Sequence, residues 1–439
     1  YDETARTYTL ALEQSCPATP DQDEKEPYHL PFKLGLLNRS GEDIRFPVVD
    51  LDVASIEEDG GFSAVLNFRK AKQEFVFRGM DEAPVPSLLR GFSAPVKLDY
   101  AYDREELMFL MSNDSDGFNR WEACQRLSVD VIQEVVQQIE VGATVSVDER
   151  LIAAFDVNLT HALEHNADTS LDRAMIANML VLPSESYLIE LADLVDVDAI
   201  HLAREAVRDE IAEKLGGLLI SVYRFNQSNE EFRAEAGQIA KRSLKNVALS
   251  YLMQPAATEM VPLCYEQFER ATNMTDTSAA LRALVNSKAT ASVGPRNKAL
   301  ERFYNRWNDE ALVIDQWFAI QANCPLPGTL DRVKTLTTHE AFDIKVPNRM
   351  RALVAQFSAG NIVNFHQIDG GGYAYLADCV IELNAINPQM AARVLAPLTR
   401  WHKFDSNRQS LMRSALERIL ETEKVSNDVY EIASKSLSS

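Results

Sequence analysis

The segment HALEH, residues 161–165, holds two histidines and a glutamate at a spacing that could bind zinc and use it. His161 and His165 lie four positions apart, so on a helix their imidazoles would face the same side. Glu164 could then act as a general base on a metal-bound water. The pattern is H-x-x-E-H, the inverted zinc-protease motif, and it needs a third protein ligand from elsewhere in the chain.

The same residues also suit the end of a helix. A segment with helical periodicity precedes them, and the turn-forming residues NADTS follow. Histidine is favourable in a last helical turn, because its partial positive charge meets the negative end of the helix dipole. No pattern singles out a third ligand among the 65 Asp and Glu residues. We therefore interpret HALEH as a helix end rather than as a zinc site.

Other chemical motifs are incomplete. HEAFD at His339 has Asp343 where the forward zinc motif needs a second histidine. Dinucleotide-binding, P-loop and nucleophile-elbow patterns are absent from the sequence. The glycine-rich stretch 369–373 is predicted to be a flexible turn rather than a phosphate site. Trp307 and Trp317, treated as residues of one helix, are predicted to pack in a core rather than form a ligand cage.

Two arginine-containing segments have a pattern that suits an anion. In INPQMAARVLAPL, Asn387 is predicted to cap a helix that places Gln389 and Arg393 on one face. In VPNRMRALVAQF, Arg349 and Arg351 are predicted to point to different sides of a helix start. An arginine that faces a cavity could bind a peptide carboxylate through paired donors. From the residues alone, a surface salt bridge is the favoured interpretation.

Composition limits the class of protein. A chain of 439 residues is predicted to form two to three domains, and 46% hydrophobic with 25% charged residues is typical of a folded soluble protein. The net charge of −21 argues against a nucleic-acid binder. No apolar run is long enough to span a bilayer, and no signal peptide is visible. A chain that begins with Tyr1 is expected to be a processed product or a fragment of a longer protein.

The cysteines indicate a reducing compartment. Their number is odd, their spacing is wide and none forms a C-x-x-C pair, so neither a disulfide framework nor a cysteine zinc site is expected. We therefore predict a cytoplasmic location. The five residues are Cys16, Cys124, Cys264, Cys324 and Cys379.

The chain changes its periodicity near residue 102. Before it, RTYTLAL, HLPFKLGLL, FSAVLNF, QEFVF and PVKLDY are predicted strands, separated by turns and by prolines such as those in APVPS. After it, apolar residues recur every three or four positions, with no strict repeat length. Helix starts are predicted at Asp148, at Ser170, at Asp196, and at Thr275 or Asp276. The sequence thus predicts a small antiparallel β-sandwich over 1–101 and a large all-α, irregular solenoid over 102–439.

A series of motifs resembles one known family in order along the chain. They include CPATPDQDEKEPYHLPF, PVPSLLRGFSAPVKL, GFNRWEACQ, ATNMTDTSAAL, DQWFAIQA, NRMRALVAQFS, GGGYAYLADCVIELNAINPQMAARV and SALERIL. Together they span almost all of the 439 residues. The chain resembles the C-terminal part of bacterial aminopeptidase N, in the gluzincin family of zinc aminopeptidases.

The resemblance implies an immunoglobulin-like β-sandwich and a superhelical domain without the catalytic metal centre. The family's H-E-x-x-H-x18-E and G-A-M-E-N motifs are not in this sequence, which implies that zinc belongs to a catalytic domain outside the chain. The helical domain of the family encloses a peptide chamber together with the enzyme's N-terminal and catalytic domains. By resemblance, Gln389 would contact the side chain of the substrate's first residue, and Arg351 and Arg393 would attract its carboxylate end.

Two further functions stay open at this stage. A stand-alone helical scaffold that binds other proteins would have a large groove and no absent partner domain. An independent zinc enzyme would need a third ligand that converges on His161 and His165. The aminopeptidase reading also predicts that the chain alone self-associates through the face that its catalytic domain would cover, and a monomer at high concentration would count against that.

Overall fold

The structure is a computed structural model that divides the chain into two compact units. The first unit is Tyr1–Val131 with Asp148–Val181, and the second is Ile132–Val147 with Leu182–Ser439. Within these units, the structure describes residues 1–46, 53–56 (backbone only), 62–163, 173–228, 230–254 and 258–438.

The first unit begins with antiparallel β structure. In the described residues, β1 pairs along its whole length with β5, and a second sheet has the order β3-β4-β2-β6. Alternating side chains of these strands enter one apolar core, which includes Leu34, Leu66 and Phe77. The strands are β1 Thr7–Glu13, β2 Leu30–Leu37, β3 Val53–Ile56, β4 Ala64–Phe68, β5 Lys72–Arg78 and β6 Val85–Leu88. Four of the five predicted strands are confirmed.

The fifth predicted strand was misplaced. PVKLDY, residues 95–100, is not a strand, and β6 instead lies in the proline-containing stretch that had been predicted as a break. Pro86 fits there because β6 is an edge strand that pairs only with β2 in the described sheet. The alternation in PVKLDY has another cause, since Val96, Leu98 and Tyr100 pack against the β core without joining a ladder.

Helices follow the sheets in the first unit. Asp103 caps α1 through a reciprocal capping box with Glu106, and Asp148 caps α3, as predicted. The long predicted helix that begins at GFNRW is confirmed as α2, which runs from the first unit into residues of the second. The bounds are α1 Arg104–Asn113, α2 Gly117–Glu140, α3 Glu149–His161 and α4 Arg173–Met179.

The second unit is helical throughout its described residues, and neighbouring helices pack in series. α6 packs on α7, α7 and α8 on α9, α10 on α11, and α16 on α17 and α18. Small antiparallel sheets followed by a large, irregular helical domain confirm the predicted fold class. The bounds are α5 Glu185–Leu191, α6 Val197–Phe225, α7 Ala236–Leu252, α8 Val261–Arg270, α9 Met274–Asn286, α10 Val293–Trp307, α11 Ala311–Ala322, α12 Thr329–Leu336, α13 Pro347–Met350, α14 Gln356–Gly360, α15 Ile362–Phe365, α16 Gly371–Asn384, α17 Pro388–Val394, α18 Ser406–Leu420 and α19 Asn427–Ser438.

The predicted helix starts have mixed outcomes. Asp196 caps α6, and its carboxylate accepts a hydrogen bond from the backbone N–H of Ala199, as predicted. Ser170 lies outside the described residues. The start predicted at Thr275 or Asp276 was wrong, because Asn273 caps α9. Asp276 instead lies inside the first turn of α9 and accepts a hydrogen bond of 2.7 Å from Lys245 Nζ.

Two smaller predictions also need correction. The glycine-rich stretch 369–373 is tightly packed rather than loose. A Cβ on Gly372 would lie 2.2 Å from the carbonyl oxygen of Phe365, and Gly370 has a φ of +72°. Trp307 and Trp317 are on different helices, α10 and α11, although the core position predicted for Trp317 is confirmed.

Two global features complete the fold. None of the helices in the described part of the chain is long and apolar enough to cross a membrane. All five cysteines are described, and each is a free thiol.

Candidate functional site

The HALEH segment begins in the last turn of α3. The helix ends at His161, which confirms the helix-end position predicted for that residue. Nδ1 of His161 is buried without a hydrogen-bond partner. Glu164 and His165 lie outside the described residues. Among the residues that are described, no group of three or more His, Cys, Asp and Glu side chains is placed to hold a metal ion.

Arg349, on α13, is held by its own chain through Nε and Nη1. Its Nε donates to the carbonyl of Ala341 at 2.8 Å, and its Nη1 donates to the carbonyl of Ala311 at 2.9 Å. The same guanidinium pairs with Asp315 and lies over the ring of Phe318. The salt-bridge interpretation is thus confirmed for Arg349, whose ion pair and backbone acceptors hold the guanidinium in place.

Arg351 lies only two residues further on and has a different environment. It opens a π-helical turn, Arg351–Ala355, which interrupts the helix formed by α13 and α14. Its side chain is exposed, and within the described residues nothing accepts a hydrogen bond from it or pairs with its charge. Single π-helical turns within α-helices are frequent at functional sites. Arg351 is therefore a cation that the surrounding chain leaves free for a ligand.

Gln389 and Arg393 lie on the short helix α17. As predicted, Asn387 caps this helix by accepting a hydrogen bond of 3.1 Å from the backbone N–H of Met390, and Pro388 opens it. Gln389 and Arg393 are one turn apart, and both are exposed. In the described part of the chain, neither has a hydrogen-bond or ion-pair partner.

The structure thus brings Gln389 and Arg393 onto one helical face and leaves Arg351 on a separate helix. No hydrogen bond among the described residues joins Arg351 to either of the other two. The chemical capacity of the set is clear: two unpaired guanidinium groups and one amide can donate to a carboxylate or to a peptide backbone.

Sequence patterns missed a second group of basic residues. Arg208, Arg282 and Lys288 line a cavity of about 310 Å³ in the second unit. They lie on α6, on α9 and just after α9, so no local spacing connects them. Only the packing of the helices could reveal this group.

Comparison with known proteins gives the family. Residues 104–438 match the family described as a domain of unknown function (DUF3458_C) with ARM repeats. Residues 1–101 match the family described as a domain of unknown function (DUF3458) with an Ig-like fold. The chain belongs to the DUF3458 family. Its β part and its helical part correspond to these two domains in order.

Two curated relatives of this DUF3458 chain are both called Aminopeptidase N. The chain is 37% identical over 439 residues to Aminopeptidase N of Escherichia coli (strain K12), and 35% identical over 439 residues to Aminopeptidase N of Haemophilus influenzae. Each match covers 100% of this chain and 48% of the relative. The chain therefore spans about half the length of these relatives, and it matches their C-terminal part.

A solved structure has the same fold. The crystal structure of Legionella pneumophila aminopeptidase A in complex with aspartic acid matches with a TM-score of 0.80 and 29% sequence identity. The match covers 100% of this chain and 48% of that one.

Proposed function

We propose that this chain is the non-catalytic C-terminal region of a zinc-dependent aminopeptidase of the alanyl type, which removes N-terminal residues from peptides. The observation that carries the proposal is the match of all 439 residues to Aminopeptidase N at 37% identity, together with the 48% of that protein which the match covers. In this proposal the peptide bond is cleaved in a catalytic domain outside the chain. The helical part encloses the substrate chamber.

The metal belongs to that catalytic domain. The described residues do not fit a zinc site, since none of their His, Cys, Asp and Glu side chains forms a group of three that could hold an ion. We therefore assign no catalytic residue to this chain and route no reaction step through it. Its contribution is to bind and orient the peptide and to limit access to the chamber.

Three residues are proposed to contact the peptide. Arg351 and Arg393 attract the substrate's carboxylate end, and Gln389 contacts the side chain of its first residue. Exposure and the absence of partners among the described residues support this assignment. The contrast with Arg349 adds support, because that arginine of the same segment has an ion pair and two backbone acceptors.

Two further proposals concern organisation. We place the domain boundary between residues 101 and 102, just before the capping box that begins α1. We also propose a cytoplasmic location, for which five free thiols are suitable.

The proposed contacts between these residues and the peptide are tested by steady-state kinetics of the longer protein that contains the catalytic domain. Arg351→Ala and Arg393→Ala should each raise KM for short peptides about tenfold or more, because a charged hydrogen bond to the substrate is lost. The turnover number kcat should change less, since these contacts are remote from the reacting bond and form in both ground and transition states.

Arg306→Ala is the matched control. Arg306 is an exposed arginine at the end of α10 that lies over the ring of its neighbour Trp307, so its loss should leave KM unchanged. Gln389→Ala should alter the relative KM values of substrates with different first residues. Unchanged KM in both Arg351→Ala and Arg393→Ala would remove the assignment of these residues.

A further inference from the structure

A cavity of about 310 Å³ opens in the second unit, away from Arg351, Gln389 and Arg393 in the sequence. Its size is that of a site for a small organic molecule. The walls come from α6, α7 and α9 and from the residues that follow α7 and α9. The polar residues on these walls include Glu205, Arg208, Asn246, Arg282, Asn286 and Lys288.

Two of the cations on the wall share a single carboxylate. Arg208 Nη1 lies 3.0 Å from Glu205 Oε1, and Lys288 Nζ lies 2.9 Å from Glu205 Oε2. Burial alone would raise the pKa of Glu205, but the charges of Arg208 and Lys288 lower it to about 2. Glu205 is therefore ionised at neutral pH, and it neutralises only one of its two partners.

Arg208 is held in a fixed position. With the Gln254 amide oriented to satisfy its neighbours, its oxygen accepts from Arg208 Nε at 3.0 Å and from Nη1 at 2.9 Å, and its nitrogen donates to Asp209 at 3.2 Å. Asp209 is a second carboxylate in the same electrostatic environment, and burial raises its pKa. The cavity region therefore has three cations, Arg208, Arg282 and Lys288, and two carboxylates, Glu205 and Asp209. This is a local positive excess in a chain whose net charge is −21.

Arg282 supplies that excess. In the described part of the chain it has neither an ion pair nor a hydrogen bond. Its side chain is exposed, although the atoms packed around the guanidinium lower the pKa of that group. An unpaired guanidinium on the wall of a cavity that already holds two other cations favours an anion from outside the chain.

Asn286 provides a second unsatisfied group on the same wall. Its Oδ1 is buried without a hydrogen-bond partner. A buried acceptor of this kind costs stability until a donor reaches it. Because it lies one helical turn from Arg282 on α9, the two residues line the cavity from the same side.

We propose that this cavity binds a small oxyanion that also carries a hydroxyl group. Arg282 would bind the phosphate or carboxylate group, with Arg208 and Lys288 as supporting charges. Asn286 would turn its amide so that the buried Oδ1 faces the cavity and accepts a hydrogen bond from the hydroxyl. The site does not depend on the aminopeptidase assignment, because it uses none of the three peptide-contacting residues.

Calorimetric titration of the 439-residue chain tests the proposal with two pairs of probes. Citrate and monohydrogen phosphate carry both an oxyanion and a hydroxyl, whereas tricarballylate and sulfate are near analogues without the hydroxyl. At least one member of the first pair should bind at one site per chain, and its analogue should bind about tenfold more weakly. Which pair responds distinguishes a carboxylate ligand from a phosphate ligand.

Variants locate the site. Arg282→Met should weaken binding about tenfold or more, and Lys288→Met should also weaken it, while Arg306→Met removes an exposed arginine elsewhere and should leave the affinity unchanged. Arg282 has no partner in the described chain, so its loss should not impair folding, and thermal unfolding of each variant checks this. The proposal is overturned if neither hydroxylated anion saturates the chain at millimolar concentration. Equal affinity in wild type, Arg282→Met and Lys288→Met would also overturn it.

Discussion

Arg90 in the first unit is buried and Arg282 in the second is exposed, and the two side chains have opposite surroundings. Arg90 is only 2% exposed, and its Nη2 lies 2.6 Å from Asp43 Oδ1 and 2.9 Å from Asp114 Oδ1. Its Nε also donates to Ser87 Oγ at 2.9 Å. Arg282 has no such partners among the described residues. The difference separates a cation that holds the fold together from a cation that the fold leaves unneutralised.

Arg349 and Arg351 repeat this contrast within a single segment. Arg349 has an ion pair and two backbone acceptors, whereas Arg351 is exposed and unpaired in the described chain. Identical residue types therefore divide by their partners into structural and available cations. The distinction is tested by the free energy of unfolding of variants that lack a structural arginine or an available one.

The largest effect is expected at Arg90. Arg90→Met leaves Asp43 and Asp114 without their buried counter-charge, so the free energy of unfolding should fall by about 3–5 kcal/mol. Urea denaturation measures the change, with Arg306→Met as a surface control that should stay within about 0.5 kcal/mol of wild type. If Arg90→Met lost no more free energy of unfolding than the control, Arg90 would not be a structural cation.

His366 is a buried group that, unlike the arginines, can avoid the cost of burial by staying neutral. Burial, with a smaller contribution from the charge of Arg408, lowers the pKa of His366 to about 3 from its ordinary value of 6.5. Below pH 6.5 the unfolded chain takes up a proton that the folded chain does not, so stability falls as the pH decreases from 6.5 toward 3.

This single group should reduce the free energy of unfolding by about 2 kcal/mol between about pH 7 and about pH 5. His366→Phe keeps an aromatic ring against Phe404, on which His366 stacks, and removes the titration. Wild type should therefore lose free energy of unfolding relative to the variant as the pH is lowered. If the free energy of unfolding changed equally with pH in the two proteins, His366 would not be held neutral by the fold.

The smallest effect is expected at Arg282. Arg282→Met removes a cation that has no described partner, so in buffer free of phosphate and citrate the free energy of unfolding should stay within about 0.5 kcal/mol of wild type or rise slightly. At the same anion concentration, the Tm of wild type should rise more than the Tm of the variant. If Arg282→Met lost as much free energy of unfolding as Arg90→Met, Arg282 would have a partner within the chain, and the two arginines would not differ in role.

Local signals made much of the fold predictable. Asp148 and Asp196 were identifiable as caps because a cap is satisfied within its own helical turn. The strand at PVKLDY failed because its alternation reflects packing on a core, and the edge strand Val85–Leu88 was missed because its proline resembles a break. At Asn273 the competing cap candidates were two to three residues away, and the sequence alone did not rank them.

In the candidate site, too, the features that depend on residues within one helical turn were predictable. The common face of Gln389 and Arg393 follows from one turn of helix, and the capping by Asn387 fixes where that turn begins. The different roles of Arg349 and Arg351 did not follow, because Asp315 lies 34 residues away in the sequence. The basic cavity was invisible for the same reason, since its cations come from separate segments.

The zinc content per chain of the purified 439-residue protein, measured after dialysis without chelator, tests whether the catalytic metal lies outside this chain. If the metal belongs to another domain and His161 is only a helix end, the content should be near zero. A content near one ion per chain would contradict this. His161, Glu164 and His165 would then be the first residues to substitute.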